Sequence, residues 1–460
     1  MGRGSSPLRS TGRQSDYHHT NAVVDYMADF LGRRKLFDDL KRLLKEMSAS
    51  GSNLVTSRTA SIAVRFLGRA GRIQEALWVF DEMEKEFNCR PDNLVFNNVL
   101  YVLCKCSAVE EGHLVACVEK GLLVLRKMEC PDSFSYSNVI IGLCKIGRVE
   151  QALGIFEEMC RNGIRPTRSA VNILIGNLCD ANKKNPFIQN VKVLGSLDIL
   201  VPNLSNKNHL ESAKGVFSKV GELGLFPSAF VVKMLIDEVT SCGKVEEALK
   251  IFNLVLDRGL RQDEETHHII LQALVNVGRI EEAHRIFSKM IAEGLKPKFF
   301  TYNLVISALC KGGYLKDAEE YFYLMKKKQI PPNNVIYTAL IHGHCKADNW
   351  QAAVAWMDEL LGLGWCPHSP TVALVDSLLR KTKKHDIADK LWQKIECLRI
   401  HKDCKSGKWE AAYRNVNKML ERGFSPQVYT LDLVDRTLRK AAKWEMAQEL
   451  LQKAERIMAE

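Results

Sequence analysis

The sequence has no uninterrupted apolar run of the ~20 residues that a membrane-spanning helix needs, so insertion into a bilayer is not expected. None of its 14 cysteines forms a Cys-x-x-Cys pair. Cys144 and Cys179 are 35 residues apart, as are Cys310 and Cys345, and Cys104 and Cys404 sit in matching local contexts. Metal ligands must converge in space, whereas these recur at one position of a repeat, so they read as small buried residues of a reducing compartment and no metal site is expected. There is also no phosphate-cradling loop, no Ser/His/Asp arrangement with local support, and no paired carboxylates away from repeat surfaces. These absences remove the usual routes to nucleotide-driven, nucleophilic and acid–base catalysis.

What the chain does have is length and a mild basic excess. At 460 residues it exceeds the roughly 250 to 300 residues at which one hydrophobic core stops growing, so it is either several domains or one solenoid. With 65 Lys and Arg against 54 Asp and Glu it carries a net charge of +11. That charge suits an anionic partner and also suits solubility alone.

The strongest signal is periodic. Ala248, Ala283, Ala318 and Ala353 follow one another at intervals of 35 residues, and Ala412 and Ala447 are again 35 apart. Units of this length run over 133–167, 229–263, 264–298, 299–333 and 334–368. In the unit from Phe299, the residues Tyr302, Val305, Ile306 and Leu309 recur at three- and four-residue spacing and predict one apolar helix face. Gly312 and Gly313 interrupt it, and Ala318, Tyr321, Phe322 and Met325 predict a second helix before Pro331 and Pro332. Other units close on Gly163 then Pro166, Gly294 then Pro297, Gly364 then Pro367, and Gly423 then Pro426. Glycine accepts the left-handed conformation that ends a helix, and the later proline cannot continue it. Small alanines at Ala76, Ala152, Ala283 and Ala318 permit close helix approach.

Less regular units are expected at 21–56, 57–92 and 93–132, with a long one at 168–228, a shortened one at 369–392, one at 393–427 and a last one from Val428. The organisation is thus a short basic leader over 1–20, degenerate repeats over 21–132, a main block over 133–368 with an insertion near 183–207, and irregular repeats over 369–460. The leader carries Arg3, Arg9 and Arg13 and no acid before Asp16, in the manner of a transit peptide or of a truncated one. The insertion, rich in turn formers and β-favouring residues, reads as a contact loop or as a tolerated surface insertion.

The segments SFSYSNVIIGLCKIGRVEQALGIFEEMCRNGIRPT (Ser133 to Thr167) and FFTYNLVISALCKGGYLKDAEEYFYLMKKKQIPPN (Phe299 to Asn333) resemble pentatricopeptide repeats of the plain P class. The resemblance extends from about Asn21 to the C terminus, because aromatic, Leu-Cys-Lys, Gly, acidic-Ala and Met-Gly-Pro elements recur in order. It implies an all-α fold, a right-handed superhelical α-solenoid of helix-turn-helix repeats, in which first helices line a groove for single-stranded RNA, one base per repeat.

In that family the fifth residue of a unit meets the base edge and the last residue supports it. Carried over, Asn97 with Asp132 resembles a uracil-preferring pair, Ser61 with Asp92 a guanine-preferring pair, Asn303 with Asn333 a pyrimidine-preferring pair, and Asn172 with Ser228 a cytosine pair. Ser137 with Thr167 occupies the same positions. Lys233 with Asp263, His268 with Lys298, Thr338 with His368 and Cys397 with Gln427 do not translate. Lys233 and His268 read either as contacts to phosphate or any base, or as unselective first-helix residues. Second residues such as Phe134, Phe300 and Val335 are placed to lie against base faces. The basic clusters Lys326, Lys327, Lys328 and Arg380, Lys381, Lys383, Lys384 suit the RNA backbone or a solvated face.

Editing members of the family carry a zinc deaminase. Here His209, Leu210 and Glu211 spell its His-x-Glu, but no Cys-x-x-Cys follows and the match reads as accidental. The sequence closes within a repeat, at ERIMAE, so an appended endonuclease is not expected. The resemblance therefore implies a monomeric scaffold without enzyme activity, cofactor or metal, which binds organellar RNA in the mitochondrion or, alternatively, the chloroplast. It would act by occupancy in processing, stabilisation, splicing or translation. A protein-binding adaptor within an RNA-processing or ribosomal complex is the second reading, and an accessory subunit of a ribonuclease or editing complex the third.

Overall fold

The computed structural model describes residues 19–49, 54–105, 111–180, 206–424 and 426–459, and every regular element among them is an α-helix. They fall into two compact bodies, residues 1–242 and 243–460. The first body holds α1 (Asn21–Arg33), α2 (Phe37–Ala49), α3 (Ser57–Arg69), α4 (Ile73–Lys85), α5 (Asn93–Lys105), α6 (Glu111–Lys127), α7 (Ser133–Lys145), α8 (Val149–Arg161), α9 (Arg168–Asp180), α10 (Asn206–Glu222) and α11 (Ala229–Ser241). The second holds α12 (Val245–Asp257), α13 (Glu264–Asn276), α14 (Ile280–Ala292), α15 (Phe299–Gly312), α16 (Leu315–Lys327), α17 (Asn334–Lys346), α18 (Trp350–Gly362), α19 (Ser369–Lys381), α20 (His385–Lys405), α21 (Trp409–Glu421), α22 (Val428–Lys440) and α23 (Trp444–Ala459).

Each body is an α-solenoid of helical hairpins. First helices stack on first helices, α1 on α3, α5, α7, α9 and α11 in turn, and α13 on α15, α17 and α19; second helices pack on their own first helix and on the next, as α4 does on α3 and α5, and α16 on α15 and α17. The chain folds this way because the first helices are apolar on two sides. In α15, Thr301, Tyr302, Val305, Ile306, Ala308, Leu309 and Cys310 are all buried, too wide an arc for a helix with one wet face. The second helices carry a narrower stripe: α16 buries only Ala318, Phe322 and Met325. The four alanines spaced by 35 are each at most 2% exposed, consistent with close helix contact.

Successive units are joined by an aromatic clasp. Phe252, Phe287 and Phe322 each meet the fourth residue of the next unit, His267, Tyr302 and Tyr337, edge-on at 5.0, 5.4 and 5.3 Å between ring centroids. Such pairs add about 0.5 to 1.5 kcal/mol beyond burial.

First helices begin at residues 21, 57, 93, 133, 168, 229, 264, 299, 334, 369 and 428, where the sequence places the start of each unit. The stop signals also hold: Gly294 closes α14 at φ +78° three residues before Pro297. Gly312, expected to break a helix, is its last residue, and Gly313 takes the left-handed turn at φ +85°.

One boundary differs. The expected break between Trp392 and Gln393 is absent, and α20 runs unbroken for 21 residues through both. The second helix of one unit is thereby fused to the first helix of the next. The shortened unit, 369–392, has 24 residues against 35 in the regular units, a loss of 11, which is close to three turns at about 3.6 residues each. The apolar stripe survives, with Ala388, Leu391, Ile395, Ile400 and Cys404 buried. Its C-terminal half packs with α21, α22 and α23 around Val416, Met419, Val434, Leu438 and Leu450. The leader and residues 183–205 of the insertion lie outside the described residues; α10 starts at Asn206.

Candidate nucleic-acid interface

The last residue of a unit is also the residue that caps the next first helix, so helix capping brings it back toward the fifth residue. At Asp132 both roles are visible. Its Oδ1 accepts from the backbone N–H groups of Phe134 and Ser135 at 2.8 and 2.9 Å, which leaves Oδ2 to accept from Asn97 Nδ2 at 2.9 Å. Ser135 Oγ donates to Asn97 Oδ1 at 2.8 Å, so both ends of that amide are held. Thr167 Oγ1 donates to Ser137 Oγ at 2.8 Å. Ser228 donates its backbone N–H to Asn172 Oδ1 at 2.9 Å, so this pair is joined although 56 residues separate its members. Three of the pairs expected from the sequence are therefore hydrogen-bonded, and Cys397 with the backbone of Gln427 is a fourth.

The others are placed differently. Ser61 is buried and its hydroxyl is engaged by Asn98 Nδ2 at 2.7 Å, while Asp92 Oδ1 caps Val95 at 2.9 Å. Asn333 caps Ile336 at 3.1 Å, and the facing Asn303 Oδ1 is buried without a hydrogen-bond partner. His268 Nδ1 lies 3.0 Å from Thr301 Oγ1, while Lys298 Nζ pairs with Glu265 and Glu264 at 3.3 and 3.5 Å. Thr338 Oγ1 reaches Asn334 Oδ1 at 3.4 Å, and His368 is exposed. Lys233 and Asp263 belong to different bodies; Lys233 Nζ stands 5.6 Å from the Phe230 ring centre, and Asp263 caps Thr266 at 2.8 Å. The thiol of Cys397 is raised above its ordinary pKa by burial, and Thr430 and the backbone of Gln427 hydrogen-bond to it.

Beside the fifth positions stands a row of exposed apolar side chains. Phe134, Phe300 and Val335 are 65%, 69% and 54% exposed within helices whose other apolar residues are mostly buried. Leu94, Phe230 and Tyr429 occupy the same second position and are exposed as well. They were overlooked in the sequence, although the register marks them equally. Also unforeseen were the third residues: Thr59, Ser135 and Thr301 are buried hydroxyls that bond the fifth residue of the preceding unit, Asp25 at 2.5 Å, Asn97 at 2.8 Å and His268 at 3.0 Å.

Repeat models of one family recur along the chain: "PPR repeat family" over residues 131–180, 269–311 and 297–346, and "PPR repeat" over 59–86, 231–260 and 335–365. The chain is a pentatricopeptide-repeat protein. Among curated relatives from Arabidopsis thaliana, a mitochondrial pentatricopeptide repeat-containing protein is 33% identical over 103 residues, 22% of this chain and 18% of its own length. The small ribosomal subunit protein mL104 is 26% identical over 48% of this chain and 44% of its own. The chain thus spans less than half the length of these relatives. The crystal structure of the maize pentatricopeptide repeat protein PPR10 aligns over 98% of this chain and 70% of that one, at 19% identity and a TM-score of 0.31.

In this pentatricopeptide-repeat protein three of the seven cations of the two basic clusters have a carboxylate partner. Lys326 pairs with Glu359 at 2.8 Å, Arg380 with Asp376 at 2.8 Å and Lys381 with Asp348 at 2.9 Å. A carboxylate neighbour makes Lys326, Arg380 and Lys381 less available to a phosphate. The recurrent cysteines are core residues: burial pushes the thiols of Cys104, Cys144 and Cys310 up to about 12 and that of Cys345 to about 11. Among the described residues no group of three His, Cys, Asp or Glu could hold a metal ion, and no helix is long and apolar enough to cross a membrane.

Proposed function

We propose that this chain binds single-stranded RNA along its layer of first helices, reading bases with the fifth and last residues of its units, and that it acts by occupancy and performs no catalysis itself. The observation that carries this reading is the hydrogen-bonded series Asn97–Asp132, Ser137–Thr167 and Asn172–Ser228, with exposed Leu94, Phe134 and Phe230 at the neighbouring second positions. A held amide presents a donor and an acceptor in one fixed orientation, which base-edge recognition requires. Exposed second residues offer a stacking surface, contributing about 1 to 3 kcal/mol per base where aromatic.

The P-class architecture, with plain 35-residue units as in 299–333, is part of the same proposal. The compartment we favour is the mitochondrion over the chloroplast, since two of the relatives carry "mitochondrial" in their names. Crosslinking and sequencing of RNA bound to the tagged chain in its organelle tests the reading. One enriched footprint of about ten nucleotides, bound with an affinity that falls steeply with salt, is the expected result.

A protein-binding role is the second reading, favoured by the likeness to mL104, a protein named for the small ribosomal subunit. No enriched RNA, with stoichiometric protein partners in the same purification, would decide for it.

A further inference from the structure

Resting on the RNA-binding reading, we infer that the third residue of a unit is a positioning residue for base selection, and that through it the unit 264–298 favours bases with an amino group over uracil. The relay that carries this is Glu264–Thr301–His268. Thr301, the third residue of its unit, is fully buried; its hydroxyl donates to Glu264 Oε1 at 2.6 Å and lies 3.0 Å from His268 Nδ1. Glu264 Oε1 also accepts the backbone N–H of Lys298 at 3.1 Å, which fixes it as the acceptor end. A threonine hydroxyl has a single proton. With that proton committed to Glu264, Thr301 offers His268 only a lone pair, so His268 Nδ1 must carry the hydrogen. In the neutral ring this leaves Nε2 as a bare acceptor.

His268 is the fifth residue of its unit and half-buried, and among the described residues its Nε2 has no hydrogen-bond partner. An acceptor alone meets adenine, cytosine and guanine at their amino hydrogens. Uracil offers only N3–H between two carbonyl oxygens, whose lone pairs oppose that of Nε2. The opposite tautomer, with hydrogen on Nε2, would reverse the choice. A related arrangement orients Asn97, with the opposite polarity: Asp132 Oδ2 takes Nδ2, which turns Oδ1 toward the Ser135 hydroxyl at 2.8 Å, itself 3.0 Å from Asp132 Oδ1. Its counterpart is Asn303: the third residue of the next unit is Ile336, which has nothing to donate, and Asn303 Oδ1 is buried and unpartnered.

The test uses the full chain with Thr301→Val, a change of similar shape that removes the hydroxyl, at about pH 8, where an unperturbed imidazole is neutral. Nitrogen NMR of labelled histidine should show His268 protonated on Nδ1 in the wild type and shifted toward Nε2 in the variant. Selection from a randomised oligonucleotide pool should show uracil disfavoured by about threefold to tenfold at one position, as expected for one misplaced hydrogen bond, with that preference lost in the variant and the other positions unchanged. The reciprocal variant, Ile336→Thr, should sharpen the preference at the position set by Asn303. Hydrogen on Nε2 in the wild type, or a base preference indifferent to both substitutions, overturns the proposal. A wild-type chain that binds no RNA overturns the base preference together with the RNA-binding reading; the tautomer, which needs no RNA, separates that outcome from failure of the relay.

Discussion

Asn97 and Asp132 are 35 residues apart in sequence and joined by a 2.9 Å hydrogen bond, because the carboxylate that caps α7 has a second oxygen to spare. Helix capping and the hold on Asn97 are thus two uses of one side chain. Replacing Asn97 by Ala leaves the cap intact and removes the presented amide. We expect affinity for the selected RNA to fall about fivefold to 150-fold, the range of a lost bidentate contact of about 1 to 3 kcal/mol, with preference relaxed at one base only. Competition binding with oligonucleotides substituted at each position checks it; an unchanged preference at every base would remove Asn97 from the readers.

Phe300 and Tyr302 are two residues apart on α15, and one is 69% exposed while the other is fully buried. Phe300→Ala should leave thermal stability nearly unchanged and weaken RNA binding by about 1 to 3 kcal/mol. Tyr302→Ala should do the opposite, costing about 3 to 5 kcal/mol of stability through the cavity it leaves against Phe287. Paired thermal melts and binding isotherms separate the two.

His342 and His401 each hold the third-residue hydroxyl of the following unit, Thr371 and Thr430, through Nε2 at 3.0 Å. Burial first, then Lys346 and Lys405, lower their pKa values from the ordinary 6.5. The unfolded chain therefore takes up protons before the folded one does. Their contribution to stability is complete above 6.5 and is lost as pH falls through the lowered values. The double variant His342→Gln, His401→Gln should lose less thermal stability than the wild type between about pH 7 and pH 5.

Cysteine accessibility offers a check on the fold itself. Cys130 and Cys242 are exposed, whereas Cys104, Cys144 and Cys310 are buried with thiols pushed up to about 12. Alkylation of the native chain at about pH 8 should modify the first two readily and the other three only after denaturant is added, since the thiolate is the reactive form. Mass spectrometry of the labelled peptides reads the result.

The starts of the first helices were legible in the sequence because proline or glycine marks most boundaries and the apolar spacing resumes directly after it. The pairs Asn97–Asp132 and Ser137–Thr167 came from the resemblance to pentatricopeptide repeats, carried over by position within each unit. The fused α20 did not, although the segment from His385 to Lys405 contains neither Gly nor Pro and could have shown it. The relay through Thr301 was out of reach: a threonine at the third position reads as a helix residue like any other until its proton is traced to Glu264. The neighbouring helix that makes it a partner of His268 belongs to the preceding unit, and that contact comes from stacking.

In most of the chain a non-helical linker separates one unit from the next, and each unit meets its neighbours only through side chains. Such an array frays and is clipped by proteases in whole units, as beads leave a string. α20 is an exception, because the covalent helix itself crosses the junction. Residues 369–427, 59 residues long, are therefore mechanically a single enlarged bead, expected to melt, or to be released by limited digestion, as one piece.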